Sequence, residues 1–359
     1  MTERRTARAA ETPRAADTAR TARLADVAAR AGVSEATASR VLNGRPGVSE
    51  ANRRAVLTAV DVLGYDRPAR LEAASASLVG VIVPELVNPV FPHFAQALEA
   101  ALAAAGHGPV ICTQAPGGTH EDDHVRMLLD RGACGIVFVS GQHADATSDP
   151  ARYRALRERG LPIVLVNGPL AGVDAPSVSN DDVASMDLAV RHLAELGHTE
   201  IGLAVGPERY TPVRRKVEGF RAAMREHLGT PPRHLESLVA HTVFSLEGGA
   251  AAAGRLVGRG VTAVVCGSDL MALGAIRQVR AMGREVPRDV SVVGYDDSVV
   301  MGYTDPPLTT VRQAVEAMAE AAAGALVDEI AGRPAPRDEY VFGPELVVRG
   351  STGAAPGRG

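Results

Sequence analysis

The sequence predicts an α/β protein with a three-helix head over residues 22–66 and a body, 78–350, made of two doubly wound parallel-sheet subdomains. Three observations predict it. Apolar residues recur with a helical period from Leu24 to Leu63. Past a Pro68-containing stretch of small residues, the rhythm changes to short β-branched runs, each followed by a helical stretch. Those runs are continuously apolar rather than alternating, as in parallel strands covered on both faces. The length of 359 residues agrees, suggesting two or three domains.

Residues 1–21 lack periodic apolar positions and read as a disordered arm. They hold no apolar stretch of the kind a secretory signal needs. Leu24, Val27 and Ala28 share one face of a first short helix, and Gly32 ends it, since glycine takes the left-handed position of a tight turn at no steric cost. Ser34 supplies the cap of a second helix, and Glu35 in its first turn favours the helix dipole. Val33, Ala38, Val41 and Leu42 then face inward. Glu35, Ala36, Thr37, Ser39 and Arg40 face outward near the helix start, where a helix laid in a major groove meets base edges. Ser49 caps a third helix whose Val56, Leu57, Val60 and Leu63 pack back on the pair. Residues 67–77 read as a hinge or linker. The strands follow at 78–83, 109–113, 135–139, 163–166, 201–205, 263–266 and 290–293. Seven such units exceed one small sheet. The division expected is an N-subdomain at about 78–177 and 309–325 and a C-subdomain at about 178–308 and 326–350, with a tail at 351–359.

Charge separates the same two regions. Residues 1–70 hold 13 Arg against 8 acids, a net +5, whereas the remainder nets −9. A basic head on an acidic body implies a polyanionic partner for the head alone. Basic residues are almost all Arg, Lys216 being the only Lys. The most apolar stretch, 78–91, is broken by Glu85 and Asn88 well short of a membrane span, so the expected compartment is the cytoplasm. Cys112, Cys134 and Cys266 lie far apart, with neither disulfide nor zinc spacing. His120, Glu121 and His124 fit the H-E-x-x-H pattern of zinc hydrolases. However, Gly117, Gly118 and Thr119 place it in a helix's first turn, where acids are favoured anyway, and no third ligand stands in a partner motif. No Gly-x-Ser-x-Gly elbow, P-loop or dinucleotide fingerprint occurs. Nothing in the sequence argues for catalysis, a metal or a cofactor.

Asp26-Val27-Ala28, Ala31-Gly32-Val33-Ser34, residues 37–43 and Val48-Ser49 resemble the signature of the LacI/GalR transcriptional regulators. The resemblance implies that Glu35, Ala36 and Arg40 read bases and that Thr37, Ser39, Asn43, Ser49 and Arg53 hold phosphates. Arg40 suits a bidentate contact to guanine, worth about 1–3 kcal/mol of discrimination, and Glu35 an acceptor for a cytosine amino group. Ala36 touches a thymine methyl or nothing. The family's Gly-Tyr pair, here Gly64-Tyr65, is usually followed by an Ala-Arg-x-Leu hinge helix whose leucine wedges into the minor groove. Here Ala69-Arg70-Leu71 come about three residues early, so Leu71 either fills that role or packs against the body or a dimer mate.

The body carries Val79-Gly80-Val81 with Asn88-Pro89, Leu196-Gly197-His198, Gly206-Pro207, Arg214 with Gly219-Phe220, and segments 268–275, 292–297 and 306–310. These resemble the periplasmic-binding-protein-like fold of the same regulators, which implies a ligand between the subdomains, beyond the carboxyl ends of strands. Asp269 and Asp296 follow apolar strands directly. Such acids act as an acid–base or metal pair, accept from sugar hydroxyls, or cap the next helix; for Asp269 cap and ligand both stand, and for Asp296 the resemblance implies ligand. Arg214 matches the family's ligand clamp, the alternative being a surface arginine beside Arg215 and Lys216. Asn167 and Gln313 are placed to reach the cleft from the opposite lobe. Phe244 stands where relatives place an aromatic under the sugar; Phe91, Phe94 and Tyr210 are either further platforms or core. Segments 245–249, 305–313 and 344–352 most resemble the actinomycete maltose-regulator branch, which implies maltose or a maltodextrin. The expected protein is a homodimeric repressor that binds a double-stranded DNA operator under control of a small sugar. The alternative is a sugar-binding protein without DNA function.

Overall fold

The computed structural model describes residues 22–42, 47–63, 65, 77–114 and 119–357, and the chain divides into two compact units at residues 74 and 75.

The first unit holds α1 (Leu24–Ala31), α2 (Glu35–Leu42) and α3 (Glu50–Leu63). Each boundary has a local cause. The Asp26 carboxylate accepts from the Arg23 N–H at 2.8 Å at the start of α1. Gly32 closes it at φ +66°, its N–H returning to the carbonyls of Ala28 and Ala29. Ser34 Oγ accepts from the Thr37 N–H (3.2 Å) and Ser49 Oγ from the Asn52 N–H (3.3 Å), so both predicted caps are formed. Val27, Ala28, Ala38, Val41, Val56 and Ala59 make the core. Leu57 departs from expectation at 51% exposed. A helix turns about 100° per residue, so Val56, Ala59, Val60 and Leu63 form one stripe and Leu57 falls outside it.

The second unit contains, in chain order, β1 (Leu78–Val83), α4 (Val90–Ala104), β2 (Gly108–Thr113), α5 (Glu121–Asp130), β3 (Gly135–Val139), α6 (Ala151–Glu158), β4 (Ile163–Val166), β5 (Ser177–Asn180), α7 (Asp182–Glu195), β6 (Ile201–Val205) and α8 (Thr211–Leu228). Then come α9 (Pro232–Leu238), β7 (Val239–His241), α10 (Leu246–Gly258), β8 (Ala263–Cys266), α11 (Asp269–Ala281), β9 (Ser291–Asp296), β10 (Thr309–Arg312), α12 (Val315–Ile330), β11 (Glu339–Phe342) and β12 (Glu345–Val347). One sheet has the order β11-β5-β4-β3-β1-β2 and the other β12-β10-β9-β8-β6-β7. Every pair is parallel except β10 with β12. The inner strands β1, β3, β4, β6 and β8 are buried on both faces, as their apolar runs require, whereas the edge strands β2, β7, β11 and β12 are part-exposed.

The lobe boundaries differ from the sequence reading. β10 lies in the second sheet, not the N-subdomain, while α12 and β11 return to the first. The chain therefore passes between lobes three times, at 180–182, 312–315 and 342–345. The passages are legible only once strand pairing is known, because no sequence pattern at a crossing marks the change of sheet.

Candidate functional site

In the head, Glu35, Ala36 and Arg40 stand exposed along α2, Ser49 is exposed at the start of α3, and Thr37, Ser39 and Arg53 are half-buried. Thr37 Oγ1 lies 2.9 Å from Ser34 Oγ, so its hydroxyl is oriented by the cap beside it. Asn43, Leu71, the arm at 1–21 and most of the linker lie outside the described residues.

In the second unit a cavity of about 250 Å³ opens between the two sheets. From the first lobe it is lined by Glu85, Asn88 and Phe91, by Ser140 past β3 and by Asn167 past β4. From the second come Asp182 at the start of α7, Tyr210, Val213 and Lys216 at the head of α8, Phe244, Ser268, Tyr295, Asp296 and Gln313. These are loop, strand-end and first- or second-turn helix positions at the carboxyl edges of the strands, where a doubly wound sheet collects polar groups. Four described non-glycine residues have positive φ: Ser140 (46°), Asn167 (74°), Asp296 (118°) and Asp297 (57°). The first three line the cavity, so backbone strain is concentrated there. Asn167 Nδ2 donates to Ser140 Oγ at 2.7 Å, joining two of them.

Asp296 ends β9 and accepts from Gln313 Nε2 at 2.7 Å through Oδ1, while Oδ2 is buried without a hydrogen-bond partner. Burial, then the charge of Asp269, push its carboxyl well above the ordinary range, with Gln313 opposing. Gln313 arrives off β10, next to β9, and so comes from the same lobe as Asp296, not the opposite one. Asp269 does not line the cavity. Its Oδ1 accepts from Thr310 Oγ1 (2.6 Å) and its Oδ2 from the Ser298 N–H (2.7 Å), so both oxygens brace loops behind the site. Burial raises its carboxyl to about 6. The cap of α11 is Ser268, which accepts from the Met271 N–H.

Arg214 is exposed and faces a separate groove with Glu208, Glu218, Arg221 and Arg225. The helical period explains the correction, because Val213, Lys216, Val217 and Phe220 form the buried stripe of α8 and Arg214 lies off it. Lys216 stands in the cleft instead. Its Nζ meets Asp182 Oδ1 at 2.5 Å and lies 3.9 Å from the Tyr295 ring centroid. Tyr295 donates to the same carboxylate oxygen at 2.8 Å and accepts from Asn180 Nδ2 at 2.9 Å. Sequence reasoning missed Asp182, Lys216 and Tyr295; the signal present was the position of the sole lysine on the apolar face of a helix. Phe244 lies against Gly206 and Gly267, where a side chain at Gly206 would collide with its ring. Phe91 and Tyr210 also reach the cleft, whereas Phe94 is wholly core.

The H-E-x-x-H segment opens α5 as expected, with Glu121 turned inward. Glu121 accepts from the Tyr153 hydroxyl and the Gln142 N–H, and His124 Nε2 lies 2.9 Å from the Thr113 carbonyl. Among the described residues no three His, Cys, Asp or Glu side chains are placed to hold a metal, and no helix is long and apolar enough to cross a membrane.

A solvent-facing helix on a small basic head, carried by a body with a deep cleft between two lobes, defines the class of ligand-responsive DNA-binding regulators of transcription. Residues 23–67 match the family of bacterial regulatory proteins of the lacI type, and residues 190–352 match the periplasmic binding protein-like domain. The chain is 58% identical to the HTH-type transcriptional regulator MalR of Streptomyces coelicolor over 91% of its own length and 96% of that protein. Among solved structures it is similar to a transcriptional regulator CelR–cellobiose complex (TM-score 0.67, 34% identity, 92% of this chain and 99% of that one). It is also similar to the lac repressor dimer bound to operator (TM-score 0.65, 25% identity, 93% and 100%). The chain belongs to the LacI family of transcriptional regulators, with a DNA-binding helix-turn-helix and a sugar-binding domain.

Proposed function

We propose that this regulator is a homodimeric repressor acting in the cytoplasm, released from its operator when maltose or a maltodextrin enters the cleft. The observation that carries the ligand reading is the buried Oδ2 of Asp296, left without a hydrogen-bond partner in a cavity that Asn88, Asn167, Gln313 and Phe244 also line. A buried polar oxygen left open is costly unless a ligand hydrogen-bonds to it, and hydroxyls over an aromatic face are the chemistry of a sugar. The relative named MalR supports maltose, and the CelR–cellobiose complex supports a disaccharide of similar size. In the head, Glu35, Ala36 and Arg40 read base edges, and Thr37, Ser39, Asn43, Ser49 and Arg53 hold phosphates. One head reads one half-site, so a two-fold operator needs two chains, as in the lac repressor dimer on its operator. The sugar acts by binding one lobe arrangement better than the other, since equal affinity would shift nothing.

Footprinting on the region upstream of the protein's own gene, with and without maltose and maltotriose, tests this reading. A two-fold protected segment that is lost on adding sugar is expected. Protection unchanged by every saccharide would refute the effector assignment.

A further inference from the structure

Lys216 is the one lysine in a chain whose other 37 cationic side chains of this kind are arginines, and it sits 5% exposed at the wall of the cleft. A buried ammonium ordinarily invites an anion. Here that invitation is already answered. Asp182 holds Nζ, the Tyr295 ring lies against it, and the Tyr295 hydroxyl donates to the same Asp182 oxygen. The other acidic residues lining the cleft, Glu85 and Asp296, supply no cation. Arg215, next along α8, is committed to Glu339 through two hydrogen bonds of 2.7 and 2.8 Å, and Arg214 faces away. An ammonium has three N–H donors, so with one given to Asp182 it still donates to a neutral hydroxyl.

We propose that Asp182 is a specificity-determining residue that cancels the charge of Lys216, so that the cleft takes uncharged polyhydroxy ligands and rejects their phosphorylated or carboxylated counterparts. This rests on the reading of the cleft as a sugar site. A phosphoryl group would have to enter beside Asp296 and Glu85 with no free cation among the described lining residues to meet it. Removing the carboxylate of Asp182 while keeping its shape leaves Lys216 able to hold an anion.

The test uses the full chain. Calorimetry compares maltose with maltose 6′-phosphate and maltobionate, and thermal melting compares inorganic phosphate on wild type, Asp182→Asn and the double variant Asp182→Asn/Lys216→Gln at constant ionic strength. The phosphorylated and carboxylated sugars are expected to bind wild type roughly a hundredfold more weakly than maltose or not at all. Phosphate is expected to raise the melting temperature of Asp182→Asn alone. Wild type that binds the charged sugars as tightly as maltose, or an Asp182→Asn variant as indifferent to phosphate as wild type, overturns the proposal. If no saccharide binds wild type while phosphate still stabilises only Asp182→Asn, the sugar reading fails and the charge-cancelling role stands. Should Asp182→Asn not fold, selectively labelled lysine gives a single side-chain resonance in wild type. A shift of that resonance with maltose but not with phosphate supports the proposal, and a shift with phosphate overturns it.

Discussion

On the proposed function, Arg40 serves operator recognition and Asp296 sugar recognition; they lie on separate units, so their effects are separable. Arg40→Ala is expected to lower specific operator affinity by about 1–3 kcal/mol while leaving sugar titrations unchanged. Asp296→Asn is expected to weaken sugar binding while the operator footprint persists. Arg214→Ala, which the sequence alone marks as a ligand clamp, is expected to leave sugar affinity untouched because Arg214 faces a different groove. Calorimetry on the three variants separates these outcomes, and a sugar-binding loss in Arg214→Ala would contradict the placement of the clamp. The buried acids also predict a pH dependence. Asp269 is raised to about 6 and Asp296 well above its ordinary value, so the folded chain keeps protons that the unfolded chain releases near the ordinary carboxylate value. Their contribution to stability is therefore complete below about 4 and is lost as pH rises, through about 6 for Asp269. His143 and His198, lowered by burial, act in the opposite sense. The carboxyl part is thus read as a difference: Asp296→Asn should gain in melting temperature on wild type as pH rises from about 5 to about 8. A constant difference would show that Asp296 carries no shifted proton.

At the scale of elements, the head depends on its caps, because α1 and α2 span only eight residues each and such helices are marginal alone. Ser34→Ala is expected to cost the head about 1 kcal/mol, and Gly32→Val more, since a β-branched residue at φ +66° is strained. Hydrogen exchange of the α1–α3 amides checks both, with protection in the body unchanged. The same scale shows what was legible. Caps, turn glycine and seven of the strands (β1 to β4, β6, β8 and β9) announce themselves, the strands by their continuous apolar runs. β5, β7, β10, β11 and β12 do not. Ser177, Ser179 and Asn180 make a buried strand polar in sequence, and β12 has three residues, too few for a pattern. The cleft was half legible for a related reason. Asp296, Gln313, Asn167 and Phe244 lie next to recognisable strand or helix ends, whereas Asp182 and Tyr295 gain meaning only when α7 and β9 are brought together with Lys216. Nothing in their own neighbourhoods sets them apart.

At the scale of the molecule, two of the three passages between lobes open directly on the ligand site, through Asp182 at the first and Gln313 at the second. The first and third are joined by the Asp181 N–H donating to the Phe342 carbonyl at 2.8 Å. At the far side of the cleft Arg209 and Tyr210 of one lobe meet Asp145 of the other, with an ion pair of 2.8 Å and a β-bridge. This contact ties the two lobes together outside the three passages, and Arg209→Ala is expected to shift the sugar affinity modestly, within about tenfold, as read by calorimetry. A change of operator affinity alone would place the effect elsewhere.

The triple passage has a consequence for anyone wishing to retool this sensor. No single splice exchanges one lobe for a relative's: a graft must be sewn at 180–182, 312–315 and 342–345 together, and two of those seams run through the pocket whose taste is being altered. Modular inheritance is open to the head and closed to the halves of the clamshell, which can diverge only as a pair.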